Sequence, residues 1–453
     1  ASLGINPMAA NFPPAKSVAL VTEGCFRIRW PALSNSSKRP MTPFQIIAAV
    51  VTLSAIGAYI NNRYFRFPQT IGLMAFAFAV SLVTIILSRI GLANLESLGR
   101  VVGSIDFSDV LLHGMLSFLL FAGAMHINLE DLKNVRWSVG VMATVGVIGA
   151  TFITGALVWQ ASRVVGLELP YMQALLFGAL ISPTDPIAVL AILKDSGISR
   201  QTYTRIGAES LFNDGVGVVL FLTILQLANS AEEVKVAEAA GLFLRQALGG
   251  ALFGIACGWT VYRLLLPIDD YKVEVLLTLA LATGGYAAAE ELVHVSAPIF
   301  MVTAGLIVGN HGRNIGMSER TRERLDVFWE LVDEVLNAVL FILIGLEIVV
   351  ISVAIPQVIL GILAILAVLA GRLLSVGIPA ALMGLLKGPE KGIIALLTWG
   401  GLRGGLSIAM ALSLPAGAQK DIILPVTYIV VLFSILVQGL TFKSALPLLL
   451  RLP

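Results

Sequence analysis

Apolar residues fall in long, nearly continuous runs, not in the one-sided stripes of helices that pack around a soluble core. Thirteen such runs stand out, near 43–60, 69–88, 109–127, 138–159, 170–193, 206–228, 241–265, 273–289, 293–309, 327–353, 356–386, 391–414 and 421–441. A helix needs about 20 apolar residues to cross the hydrocarbon core of a bilayer. The pattern therefore predicts thirteen transmembrane helices and no sheet, an all-α polytopic membrane protein. Most connections are short and leave no room for a soluble domain between spans.

Composition sharpens this picture. Of 453 residues, 57% are hydrophobic and 13% are charged, against roughly 25% charged in an ordinary soluble domain. Mean hydropathy is +0.90. A soluble globule this apolar would lack a polar skin, so the lipid bilayer is the solvent. Two cysteines, Cys25 and Cys257, exclude a disulfide scaffold. A net charge of +2, with basic residues scattered over loops, gives no nucleic-acid footprint. Four histidines without a paired metal spacing argue against a zinc enzyme, and nothing calls for a cofactor. Residues 1–40 differ from the rest: basic, Pro- and Ser-containing, without a signal-peptide core. They read as a disordered tail or an upstream extension preceding Met41. Residues 41–445 form the transmembrane domain, and 446–453 a short tail.

Basic residues orient the spans. Loops after odd-numbered spans, with the C-terminus, hold seventeen, among them Arg63, Lys133, Arg200 and Arg324. Loops after even-numbered spans hold five: Arg89, Arg100, Arg163, Lys235 and Lys420. This places the C-terminus in the cytoplasm and the N-terminus outside, with only the basic tail opposing.

Two spans are interrupted. Span five carries Ser182-Pro183-Thr184-Asp185-Pro186, and span twelve carries Gly400-Gly401-Leu402-Arg403-Gly404-Gly405. Freed backbone groups are tolerated in a membrane where they line a cavity. Spans five and twelve are an odd number apart and run in opposite directions. Spans one to six and eight to thirteen then form two inverted six-helix repeats, broken at the same place. Interrupted helices at matching places in inverted halves point to a transporter's binding site.

Ionisable residues inside a membrane cost about 2.5–3.5 kcal/mol on insertion scales and are functional candidates. Span six holds Glu209-Ser210-Leu211-Phe212-Asn213-Asp214, and span eleven holds Arg372. Ser210 and Asp214 share a helix face, whereas Glu209 lies about 140° from Asp214. Glu209 can therefore turn to an arginine, Arg372 or Arg403, able to fork onto a carboxylate. Asp214 is left with oxygen company: Ser210, Asn213 and, across the break, Thr184. Such ligands suit a hard cation, Na+ or K+. A lone carboxylate can hold a proton or a cation, and competition for it with alternating access makes an exchanger.

These motifs together resemble the monovalent cation/proton antiporters of the NhaP and NHE type. The segment from Phe328-Trp329-Glu330 through Asn337 to Gly345-Leu346 adds to the likeness, which covers about residues 44–440. The resemblance implies a core domain of spans four to six and eleven to thirteen (138–228 and 356–441). It implies a dimer or scaffold domain of the remaining spans (43–127 and 241–353), a homodimer, and a plasma-membrane location. Asp214 would match the aspartate that carries cation and proton, and Asn213 the asparagine marking the electroneutral branch. Thr184, Asp185 and Ser210 would lie at or beside the cation, which is Na+ first, with K+ or Li+ as options. Glu209 would match a buried ion-paired glutamate, with Arg372 as its partner. Arg403 would be the alternative partner, or would compensate the dipoles at the span-twelve break. Many relatives carry a glutamate in span three where this chain has Ala122. Glu330, Asp333 and Glu334 read as a solvated helix start, with an ion funnel as the alternative. Two other functions fit these residues less well. An organic-anion symporter would not need both the Asn-Asp and the Glu–Arg pairs. An intramembrane aspartyl protease needs two carboxyls sharing a proton, and the Gly-x-Gly-Asp order is missing. The expected protein is a transporter, not an enzyme.

Overall fold

The computed structural model describes residues 42–90, 107–194, 196–229, 236–312, 319–349, 351, 353–384 and 392–450. The tail 1–40 lies outside the described residues, as do Cys25, Met41, Arg100 and Lys235. All elements among the described residues are helices. In chain order they are α1 Phe44–Phe65, α2 Gln69–Arg89, α3 Phe107–His126, α4 Leu129–Val165, α5 Tyr171–Ile181, α6 Ile187–Leu193, α7 Arg200–Asn229, α8 Ala237–Leu265, α9 Tyr271–Leu292, α10 Ala297–Ile307, α11 Glu319–Glu347, α12 Ile355–Leu382, α13 Ile393–Trp399, α14 Gly405–Leu412 and α15 Ala418–Leu449.

Among the described residues, nine of these helices are long and apolar enough to cross a membrane: α1–α4, α7–α9, α12 and α15. Four expected spans fall short of that measure for visible reasons. Spans five and twelve are each two short pieces, α5 with α6 and α13 with α14. Span nine is the short apolar helix α10. Span ten is α11, 29 residues long but carrying Glu330, Asp333, Glu334 and Glu347. α15 continues to Leu449, past the boundary expected at 445.

Helix starts follow their sequence signals. Thr42 and Gln45 form a reciprocal capping box before α1. Asn128 accepts from the Glu130 and Asp131 amides at α4. Gly166, at φ 79°, ends α4 in the left-handed conformation that glycine adopts without strain.

The helices pack through small residues, as expected where lipid is no less apolar than the helix surface. α4 lies between α5 and α12, α8 against α10, and α2 against α11. A methyl added at Gly178 of α5 would sit 2.2 Å from the Thr151 carbonyl oxygen of α4. Gly345 of α11 closes similarly on Ala77 of α2, where the Ser81 hydroxyl donates to its carbonyl at 2.8 Å. Trp329 of α11 is fully buried against Phe118 and Phe121 of α3, and its Nε1 donates to Thr278 at 3.1 Å. The broken helix α5–α6 is thus held at its first half by contacts that leave no space.

Gly178→Ala is expected to cost about 1–3 kcal/mol of stability through overpacking. Gly140→Ala meets open space and should leave the unfolding temperature in detergent unchanged. Equal melting of the two variants would refute the close-approach argument.

Candidate functional site

Pro183 cannot donate to the helix ladder, and α5 ends at Ile181. The interrupted segments of spans five and twelve meet in a single antiparallel backbone bridge, where the Asp185 amide donates to the Leu402 carbonyl at 2.8 Å. Gly404 permits this approach, since a methyl there would lie 2.8 Å from the Asp185 side chain. Gly217 of α7 likewise gives room to the Pro183 ring.

The freed groups at both breaks find partners. The Thr184 amide donates to Asn213 Oδ1 at 3.1 Å. The Ile187 amide, opening α6, donates to Asp185 Oδ1 at 3.0 Å. Arg403 Nη1 donates to the carbonyls of Ser182 (2.6 Å) and Pro183 (3.0 Å). In span twelve the Arg403 amide donates to Ser434 Oγ at 2.8 Å, and Arg372 Nε to the Leu397 carbonyl at 3.2 Å. Gln438 Nε2 reaches the Trp399 carbonyl at 3.1 Å. Arg403 thus compensates the break of span five, across the crossing, where the sequence suggested its own span.

The charges sort by geometry. Glu209, 1% exposed, is gripped by Arg372 through two parallel bonds, Nη1 to Oε1 and Nη2 to Oε2, each 2.8 Å. Of the two candidate arginines, Arg372 takes the glutamate. Asn213 donates from Nδ2 to Glu209 Oε1 at 3.1 Å and to Thr184 Oγ1 at 2.7 Å. Thr184 Oγ1 and Ser210 Oγ lie 2.8 Å apart. Asn213 and Ser210 are buried, and these bonds tie α7 to the span-five break. Asp214 differs: among the described residues no hydrogen bond or ion pair engages its carboxylate.

Asp214, Asp185 and Thr184 line one cavity of about 800 Å³. Its other wall comes from α11, through Glu330, Asp333 and Asn337. The sequence reading gave Glu330, Asp333 and Glu334 a solvated helix start with an ion funnel as the alternative; Glu330 and Glu334 are exposed, Asp333 is half-buried, and all three line this cavity. Their spacing, with Asp326 and Asn337, carried the signal: one side of a helix. Ala122 is fully buried. Among the described residues no group of three or more His, Cys, Asp or Glu is arranged to hold a metal ion.

Removing one partner of a buried ion pair costs about 3–5 kcal/mol, because the other charge is stranded. Glu209→Gln and Arg372→Ala should each lower thermal stability by that order, and the double variant by less than the sum. Additive losses in the cycle would show that the forked contact carries no coupling.

The chain matches the family described as sodium/hydrogen exchanger, transmembrane, over residues 49–447. It is 48% identical over 401 residues to the Na+/H+ antiporter NhaP of Pseudomonas aeruginosa, covering 87% of this chain and 94% of that one. It is 37% identical over 371 residues to the Na+/H+ antiporter NhaH of Halobacillus dabanensis, covering 81% and 89%. The fold is similar to the solved sodium proton antiporter MjNhaP1 of Methanocaldococcus jannaschii, with TM-score 0.68, 18% identity, and coverage of 90% and 98%. A polytopic helical protein with two crossed broken helices, matched along most of its length, the chain belongs to the sodium/hydrogen exchanger family.

Proposed function

We propose that this protein is a secondary antiporter that exchanges Na+ for H+ across the membrane, with Asp214 as the shared carrier. The observation that carries this reading is the isolation of Asp214. Glu209 is neutralised by Arg372, and Asp185 accepts from the Ile187 amide. Asp214 alone in α7 presents an unengaged carboxylate to the cavity. The names of the relatives, Na+/H+ antiporters, fit a site of this chemistry. K+ and Li+, also hard monovalent cations, are the other candidates for transport.

The exchange follows from one carboxylate with two alternative occupants. A cation entering the cavity displaces the proton, with Asp185 and Thr184 beside it to supply oxygen. Carriage to the other face and release there let a proton return on the same group. One cation against one proton moves no net charge, so the exchange is electroneutral. Thirteen spans in two inverted halves, with the core around 138–228 and 356–441 moving against the remaining spans, would supply alternating access. The proposed setting is a homodimer in the plasma membrane, C-terminus cytoplasmic, in keeping with the excess of basic residues in the odd loops.

Reconstitution into proteoliposomes with an imposed pH gradient tests this directly, through cation-dependent dequenching of a pH-sensitive dye. Na+ should collapse the gradient in wild type and not in Asp214→Asn, which should fold and insert normally. Full exchange by that variant would remove the carrier assignment.

Voltage separates one carried charge from two. With the potential clamped by K+ and valinomycin, the Na+-driven rate should stay constant between negative and positive settings. A rate that follows the potential would mean that a second carboxylate, Asp185 first, gives up a proton in each cycle.

A further inference from the structure

The cavity has two unlike walls. One is the crossing of the broken helices with α7, bearing Asp185 and Asp214. The other is a single stripe of α11. Asp333, Asn337, Leu340 and Ile344 follow at intervals of four, three and four, which places them on one face. Leu340 and Ile344 pack on Gly405, where an added methyl would lie 2.6 and 2.8 Å from their side chains. That contact aims the stripe at the second half of broken span twelve. Asp333 lies two turns before Leu340, about 10 Å along the axis, half-buried on the cavity wall. It is within electrostatic reach of Asp185, which in turn acts on Asp214. Among the described residues no basic side chain is bonded to Asp333.

A second, independent feature points to an occupant of this cavity. Ser407 of α14 lines it, is 1% exposed, and has a hydroxyl without a hydrogen-bond partner among the described residues. A buried polar group left unpaired costs about 1–3 kcal/mol. A neutral hydroxyl oxygen lining the same cavity as carboxylates is the kind of ligand that a hard monovalent cation takes.

We infer that Asp333 is a second cation-holding carboxylate, on which a monovalent cation rests between entering the cavity and reaching Asp214. A carboxylate inside a membrane without a cationic partner is costly; Asp333 has the Asn337 side chain as a neutral hydrogen-bond partner, and a passing cation supplies the missing charge. The inference rests on the exchange reading above and extends it: the path has two carboxylate stations, one on α11 and one on α7. The station on α11 acts on capture and on the affinity seen from the side to which the cavity opens. The station on α7 carries the ion across.

The test is a Na+ titration of exchange on each face of the membrane, in proteoliposomes of known protein orientation. Asp333→Asn should raise the Na+ KM at the cavity-facing side about tenfold, as expected for a lost carboxylate in a focusing cleft. The maximal rate should fall far less, and the KM at the opposite face should not move. Asp333→Glu should restore most of the affinity. A merely structural role would disturb both faces together and would not be rescued by glutamate. An unchanged KM, a matched rise on both faces, or a failure of the glutamate rescue would each overturn the inference. Should the asparagine variant not reach the membrane, Asp333→Ser carries the same titration. Absence of exchange in wild type would instead remove the antiport reading beneath it, so the two failures are distinct.

Discussion

A broken helix inside a membrane must account for every backbone group it frees, because hydrocarbon offers no hydrogen bonds. Two such breaks cross in this protein, and the placement of the polar residues around them follows from that debt. The Asp185–Leu402 bridge settles one donor and one acceptor. Further groups are met by side chains from four other places in the chain: Asn213 on α7, Arg372 on α12, and Ser434 and Gln438 on α15, with Arg403 reaching across from the second break. Each of these side chains fixes a helix relative to the crossing. Local chemistry at the breaks therefore sets the arrangement of α5–α7 and α12–α15.

The same accounting sorts the charges. Arg372 has two tasks at once, forking onto Glu209 while its Nε closes a carbonyl at the end of α13. Asn213 joins that pair to the span-five break. Glu209 and Arg372 are committed to each other, and Asn213 and Arg403 to the backbone of the span-five break, which makes their geometry rigid. Asp214, one residue beyond Asn213, points elsewhere because a helix advances about 100° per residue. The rigid network is thus a frame that isolates one carboxylate and aims it into the cavity.

Much of this was legible in the sequence because the signals are local. Paired prolines and paired glycines around a charge mark a helix interruption wherever the chain lies. The spacing of Glu209 and Asp214 on one helix fixes that they look in different directions. Long apolar runs reveal the spans, with α11 the exception, since its cavity-facing acidic stripe reads as a polar helix start. What the sequence could not settle was pairing across space. Glu209 had two candidate arginines, and only the packing of α12 on α13 and of α12 and α7 on α4 brings Arg372 into the fork. Arg403 was matched to the wrong break, because the bridge that carries it to the Ser182 and Pro183 carbonyls is a tertiary contact. Nor does spacing reveal that Thr184, at the span-five break, and Ser210, on α7, lie 2.8 Å apart through their hydroxyls. Ser434 carried no signal, lying in a wide helical turn within an apolar run.

The contrast between the frame and its surroundings bears on movement. Hydrogen bonds at the breaks join α5–α7 to α12–α15. Where α7 and α14 meet α3, α10 and α11 at glycines, the contacts are apolar and close. Leu211 rests on Gly123, Ile299 on Gly215, and Leu340 with Ile344 on Gly405. Apolar contacts are non-directional, so one register can replace another at little cost as long as the area stays covered. Directional bonds do not slide in this way, and a forked ion pair least of all. Glycines at these contacts also keep one surface smooth against the other. A unit held together by directional bonds and bordered by smooth apolar contacts can shift as one body.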